Sequence, residues 1–274
     1  MLIGWPDTKG GHRGTGMRNW SAFVINLKRA PERWQHVSAQ LAAAGIPFER
    51  IDAIDGKSLT LPIAEFSELS YRLLHGRYVN VYEIGCYLSH LAAMDRFLAS
   101  GNEYGLILED DVTISPDLPV IIDAAITWSD DWDILRLSTV NRGRRFAVAD
   151  LGEGMTIGVC FTREKGAGGY VLNRKAAAVF RRRMVPMRLA YDIVFDLEFF
   201  WGLHALGVEP LPILQKTGFE TQIQTDVSKL PAWRYFTVFP YRAGLETSRV
   251  FCRVFLYLRL KLKHGRLSAR AKPA

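Results

Sequence analysis

The chain has 274 residues, 49% of them hydrophobic and 23% charged, which suits one large α/β domain or two small ones and excludes a disordered protein. Its net charge of +7 is uneven: residues 241–274 carry nine Lys/Arg against one acid, Glu246, leaving −1 for everything before them. The basic excess belongs to a tail and not to a folded face, so no nucleic-acid partner is expected.

Residues 1–19 are rich in Gly and polar residues and lack the apolar core of a signal peptide. A flexible extension is expected there, with Met17 a candidate natural start. Ala22 to Leu27, a run of branched and aromatic residues, predicts a buried strand. Pro31-Glu32 opens a helix, Trp34, Val37, Leu41 and Ala44 keep its period, and Gly45 stops it. Phe48 to Ala53 reads as a second strand that ends in the turn Asp55-Gly56. Residues 57–80 show no clear period. Glu83 to Ser100 is helical, with Ile84, Tyr87, Leu91, Met94 and Phe97 on one side. Cys86 lies in that apolar pattern and reads as a small buried hydrophobe. Tyr104 to Leu108 is a strand that runs straight into Glu109-Asp110-Asp111. Further strands are expected at 132–137 and 170–172, then a helix capped by Asn173 and another over 197–206. This order predicts an α/β fold: an open mixed sheet with helices on both faces. The three cysteines, Cys86, Cys160 and Cys252, are dispersed, which fits a reducing compartment and argues against a disulfide framework or a zinc site.

Three carboxylates directly after an apolar strand stand at the carboxyl edge of a sheet, where open α/β folds bind ligands. Such close like charges repel unless a cation neutralises them, and oxygen ligands suit Mg²⁺ or Mn²⁺. Strand alternation puts Glu109 and Asp111 on one side, so Asp111 and then Glu109 are the expected metal ligands, with Asp110 orienting the loop. A solvated acidic turn is the plain alternative. Asn26 and Leu27 end the first strand, and Arg29 and Arg33 follow within the next turns, where Arg33 could fork onto a diphosphate or a carboxylate; an exposed helical Arg is the ordinary alternative. Asp52 and Asp55 end the next strand near the same edge, where an acid can hold ribose or uracil; ordinary turn chemistry also explains Asp55. On the helix before the triplet, Ser89-His90 reads first as a packed, hydrogen-bonded pair on an apolar helix, and could reach a phosphate or metal if it faces the cleft. Asp192 and Asp196 are candidates for a general base, or for helix caps.

In the tail, Val250, Phe251, Val254, Phe255, Leu256, Tyr257, Leu258, Leu260 and Leu262 interleave with Arg249, Arg253, Arg259, Lys261 and Lys263. A cationic amphipathic segment too short to span predicts peripheral binding to an anionic membrane surface; a helix docked on the domain is the alternative. The expected division is an extension over 1–19, a catalytic domain over 20–240 and the tail over 241–274.

In combination these segments resemble glycosyltransferase family 25, the lipooligosaccharide galactosyltransferase type. Phe23-Val24-Ile25-Asn26-Leu27-Lys28-Arg29 with Pro31-Glu32-Arg33 is similar to the family's opening, and Phe48 through Asp52-Ala53-Ile54-Asp55-Gly56 to its next motif. Glu83-Ile84-Gly85-Cys86-Tyr87-Leu88-Ser89-His90 and Leu106-Ile107-Leu108-Glu109-Asp110-Asp111 form the most specific pair. Gly169 to Ala176 and Tyr191-Asp192 follow in the family's order. Trp34 departs from a usual Arg, Asn173 from a usual Ser, and Phe219-Glu220-Thr221-Gln222 matches only loosely.

The resemblance implies a GT-A fold, a UDP-sugar donor with galactose commonest, a saccharide or glycolipid acceptor of lipopolysaccharide type, inversion at the anomeric carbon and a Mn²⁺ or Mg²⁺ cofactor. A cytoplasmic protein, peripheral on the inner face of the membrane, is the matching location. Two rivals remain at this point: a metal-dependent phosphoesterase, disfavoured by only six scattered His, and a membrane-associated carbohydrate-binding or scaffolding protein with a degenerate transferase fold.

Overall fold

The computed structural model describes residues 18–141, 143–215 and 232–270, the last six of these as backbone only. The N-terminal extension up to Met17 and the segment around Phe219 to Gln222 lie outside the described residues. The elements in order are β1 (Trp20–Asn26), α1 (Pro31–Ala43), β2 (Phe48–Asp52), α2 (Glu68–His75), α3 (Val81–Ala99), β3 (Tyr104–Glu109), β4 (Val112–Ile114), α4 (Leu118–Ile126), β5 (Ile134–Arg136), β6 (Arg145–Gly152), β7 (Met155–Cys160), β8 (Gly169–Asn173), α5 (Arg174–Arg183), α6 (Tyr191–Val194), β9 (Ala205–Glu209), β10 (Ile213–Gln215) and α7 (Arg234–Arg270).

Eight strands form one mixed sheet in the order β2-β1-β3-β8-β5-β9-β7-β6, and β4 pairs with β10 in a small antiparallel ribbon. The central strands are buried on both faces, and their side chains divide by parity. Ala22 and Val24 of β1 and Leu106 and Leu108 of β3 pack with Val37 and Leu41 of α1, Leu118 and Ile122 of α4, and Leu256 and Leu260 of α7. Phe23, Ile25 and Ile107 point the other way, onto Ile84, Leu91, Met94 and Phe97 of α3 and Ala176 and Phe180 of α5. Helices therefore cover both faces, as expected. Asn173 caps α5 by accepting a bond from the Ala176 amide at 2.8 Å.

One expectation is corrected. The segment 197–206 is not one helix. A short 3₁₀ stretch runs from Phe195 to Trp201, Gly202 takes φ 68°, and β9 begins at Ala205. Gly202 can adopt that left-handed backbone without a Cβ penalty, and it reverses the chain into the strand. Helix α7 runs from Arg234 to Arg270 with Pro240 inside it. One face of that helix belongs to the core. Arg249 and Arg253 are buried against Asp196 and Glu198, while Lys263 and His264 close on Asp131 at 2.5 and 2.6 Å. Among the described residues no helix is long and apolar enough to cross a membrane.

Candidate active site

Strands β1, β2 and β3 are mutually parallel, with Asn26 level with Asp52 and Ile25 level with Glu109. Their carboxyl ends thus open on one edge, and a cleft of about 200 Å³ lies there. Glu109, Asp110 and Asp111 all line it. The expected alternation within the triplet does not apply, because β3 ends at Glu109 and the chain turns at 110–111 before β4. All three carboxylates face the same space.

Each has distinct company. Asp110 is nearly buried and accepts the Asn26 amide at 2.6 Å and Arg33 at 3.2 Å. Asn26 also donates to the Ala30 carbonyl at 3.0 Å, so it fastens the β1–α1 loop to the triplet rather than lining the cleft. Arg33 lies 3.7 Å from Asp111 as well. Burial, then the charges of Glu109 and Asp110, push the Asp111 carboxyl up to about 6. Asp111 Oδ1 is buried with no hydrogen-bond partner among the described residues. An orphaned carboxylate oxygen amid like charges fits a divalent cation.

The opposite wall comes from the first half of α3. Tyr82, Cys86, Ser89 and His90 recur one helical turn apart and line the cleft. Two glycines let this helix lie against the loop after β2. A Cβ on Gly85 would sit 2.6 Å from the Ile54 carbonyl, and one on Gly56 would sit 2.3 Å from the Val81 carbonyl. Ser89 accepts the Ile54 amide at 2.8 Å and donates to the Gly85 carbonyl at 2.6 Å, so its hydroxyl holds that loop. His90 sits 2.9 Å from the Tyr170 hydroxyl and 3.3 Å from Glu109, and its ring stacks on Tyr191 at 3.9 Å. Cys86 is half-buried and faces the cleft instead of the core; burial pushes its thiol up. Its sulfur, a His90 nitrogen and a Glu109 oxygen lie within 4.8 Å of one another. These three side chains, and Asp111 beside Glu109, are the groups here that could hold a cation.

At the far end, Leu27 and Arg29 line the cleft, and Arg29 donates to Asp55 at 2.8 Å. Asp55 also accepts the Lys57 amide. Asp52 does not line the cleft. It ends an edge strand, its side chain is more than half exposed, and it pairs with Lys28 at 3.0 Å. Gln215, brought in by the β4–β10 ribbon, completes the wall and carried no local signal in the sequence.

The model of the family described as glycosyltransferase family 25 (LPS biosynthesis protein) matches residues 20–195. The chain belongs to glycosyltransferase family 25. A "Glycosyltransferase 25 family member" of Drosophila pseudoobscura pseudoobscura is 36% identical over 101 residues, 34% of this chain but only 16% of that protein. The "Lacto-N-neotetraose biosynthesis glycosyltransferase LgtE" of Neisseria meningitidis is 26% identical over 205 residues, 70% of each chain. The "Probable inactive glycosyltransferase 25 family member 3" of Rattus norvegicus is 30% identical over 212 residues, 69% of this chain and 37% of that one. Among solved structures, a Drosophila β-galactosyltransferase 7 variant with manganese, UDP-Gal and xylobiose aligns at 11% identity with a TM-score of 0.39, over 80% of this chain and 79% of that one.

The family match takes in every cleft-lining residue except Gln215. It also spans Asp192, whose neighbourhood is a second cavity of about 470 Å³ that shares Cys86, Glu109 and Gln215 with the first. Asp192 lines this cavity and pairs with Arg163 at 3.1 Å. Asp196, the other expected base, is fully buried between Arg136, Arg249 and Arg253 at 2.7–3.1 Å and lines neither cavity. It has no route to a substrate proton, and its charge serves the core.

Proposed function

We propose that this family 25 chain is a metal-dependent, inverting glycosyltransferase that moves a hexose, galactose in the first instance, from a UDP-sugar onto a saccharide of lipopolysaccharide or a related cell-surface glycan. The observation that carries the reading is the orphaned Asp111 oxygen in a carboxylate cluster at the carboxyl edge of the sheet. Asp111 and Glu109 would hold Mn²⁺ or Mg²⁺, which offsets the charge of the departing diphosphate. Arg29 and Asp55 lie where a nucleotide would enter, and Asn26, Arg33 and Ser89 hold the loops that shape that entrance. In the second cavity Asp192 takes the proton of the acceptor hydroxyl. The acceptor oxygen bonds to the anomeric carbon as the bond from that carbon to the diphosphate oxygen breaks. Such proton transfer contributes roughly 10²–10⁴ in rate.

A thermal-shift panel tests donor and metal together. Mn²⁺ with UDP-galactose should stabilise the chain more than other nucleotide-sugars do, by about 2.7 kcal/mol at a hundredfold excess over Kd. With Asp111 pushed up to about 6, protons compete with the metal, so the Mn²⁺ shift should shrink as pH falls through that value. No shift with any nucleotide-sugar would sink the reading in favour of a degenerate fold.

The outer face of α7 supports the membrane part. Phe251, Phe255, Leu258 and Leu262 recur along one side and are 52–73% exposed. With the cations around them this face suits an anionic lipid surface. The chain should float with phosphatidylglycerol vesicles and not with phosphatidylcholine, and Phe251→Ser with Phe255→Ser should abolish flotation. Equal flotation with both lipids, or none with either, refutes it.

A further inference from the structure

The second cavity holds more positive charge than its own carboxylates take up. Arg77, Arg163, Lys165 and Arg242 reach it from the loop after α2, the loop before β8 and helix α7. Glu83, Asp192 and Glu109 face them, three carboxylates against four cations. Arg163 pairs with Asp192 at 3.1 Å, and Arg77 lies 3.6 Å from Glu83. Among the described residues no ion pair forms at Lys165 or Arg242. Burial and the charges of Arg163, Arg234 and Arg77 hold the Arg242 guanidinium below its ordinary value. His75, only 4% exposed, lines the same space with Nε2 3.6 Å from Glu83 and neither ring nitrogen within hydrogen-bond distance of a partner among the described residues, and Arg163 Nε is also unpartnered. Burial, then Arg77 and Arg242, push His75 down to about 3, so near neutral pH it is uncharged, one ring nitrogen a donor and the other an acceptor. Crowded guanidiniums and orphaned donors around an open cavity are costly unless an anion enters between them.

The cavity shares Glu109 with the first cleft but not Arg29 or Asp55, where the nucleotide would enter. We infer that it is the acceptor subsite for a saccharide bearing an anionic group, a carboxylate or a phosphate ester, held by Arg242, Lys165 and Arg163 beside Glu109. The word acceptor rests on the transferase reading; the anion subsite does not.

Calorimetry on the full chain tests it, with methyl β-glucuronide, glucose 6-phosphate and neutral methyl β-glucoside as probes, and with UDP plus Mn²⁺ titrated separately. At least one anionic sugar should bind about tenfold more tightly than the neutral one, and which one does so separates carboxylate from phosphate recognition. Arg242→Gln should remove that preference with little change in UDP affinity. Lys165→Gln, on an exposed loop, should weaken it without a change in melting temperature. Equal binding of charged and neutral sugars overturns the subsite. So does an equal loss of UDP affinity in the variants, which would assign these cations to the donor diphosphate. Anionic sugar that still binds through Arg242 when UDP does not bind keeps the subsite and overturns the transferase reading instead.

Discussion

Replacing Asp111 by Asn is expected to lower turnover about a thousandfold, since metal stabilisation of charge in such sites is worth several kcal/mol. The fold should survive, because Asn keeps the shape and removes a charge that opposes folding. The sign follows from the raised carboxyl. Burial and two neighbouring carboxylates lift Asp111 to about 6. Its contribution to stability is complete when the group is protonated, below about pH 4, and is lost as pH rises through about 6. The variant without metal should therefore be at least as stable as the parent at pH 7. Asp110→Asn would behave differently, because Asp110 is tied to Asn26 and Arg33 and its change loosens the loop. An Asp111→Asn variant with parental activity and unchanged metal dependence would remove Asp111 from the metal site.

The second large effect concerns stability. Asp196→Ala leaves Arg136, Arg249 and Arg253 facing a void, each no more than 2% exposed in its side chain. Removing one member of a buried ionic network costs about 3–5 kcal/mol, because the remaining charges stay desolvated. Glu198 and Glu164 still neutralise part of the cluster, at 2.7 Å from Arg253 and 3.7 Å from Arg136. For a chain of this size the melting temperature should fall by about 10 °C. Because Arg249 and Arg253 belong to α7, detachment of that helix should accompany the loss, visible as faster amide exchange along it. A variant that melts like the parent but has lost all turnover would return Asp196 to a catalytic role.

The sequence made the first half of the sheet legible because its elements obey single local rules. β1 and β3 are short apolar runs, α1 starts at a Pro and stops at a Gly with φ 62°, and α5 starts at an Asn that does cap it. The β6–β7 hairpin and α4 were not foreseen, and the aromatic run at 195–201 hid a turn. An apolar run without a period cannot distinguish helix from strand. Within the site, residues at strand ends were readable because the carboxyl edge of a parallel sheet gathers them. Tyr170, Tyr191 and Gln215 come from distant segments, so only the fold brings them to His90 and Glu109. Cys86 was misjudged because the amino-terminal half of α3 has its cleft face and its core face side by side. The tail was half legible: its charge run is real, but Arg249 and Arg253 turn inward, where a pattern of alternating cations and apolar residues gives no sign of depth.

Metal-dependent transfer is tested by UDP release from the purified chain mixed with Mn²⁺, UDP-galactose and a saccharide acceptor, followed with and without a chelator. Acceptor-stimulated UDP release is expected to stop when the metal is removed and to be absent in Asp111→Asn. UDP release that is indifferent to chelation and to Asp111, or phosphate release from simple esters in its place, would contradict it.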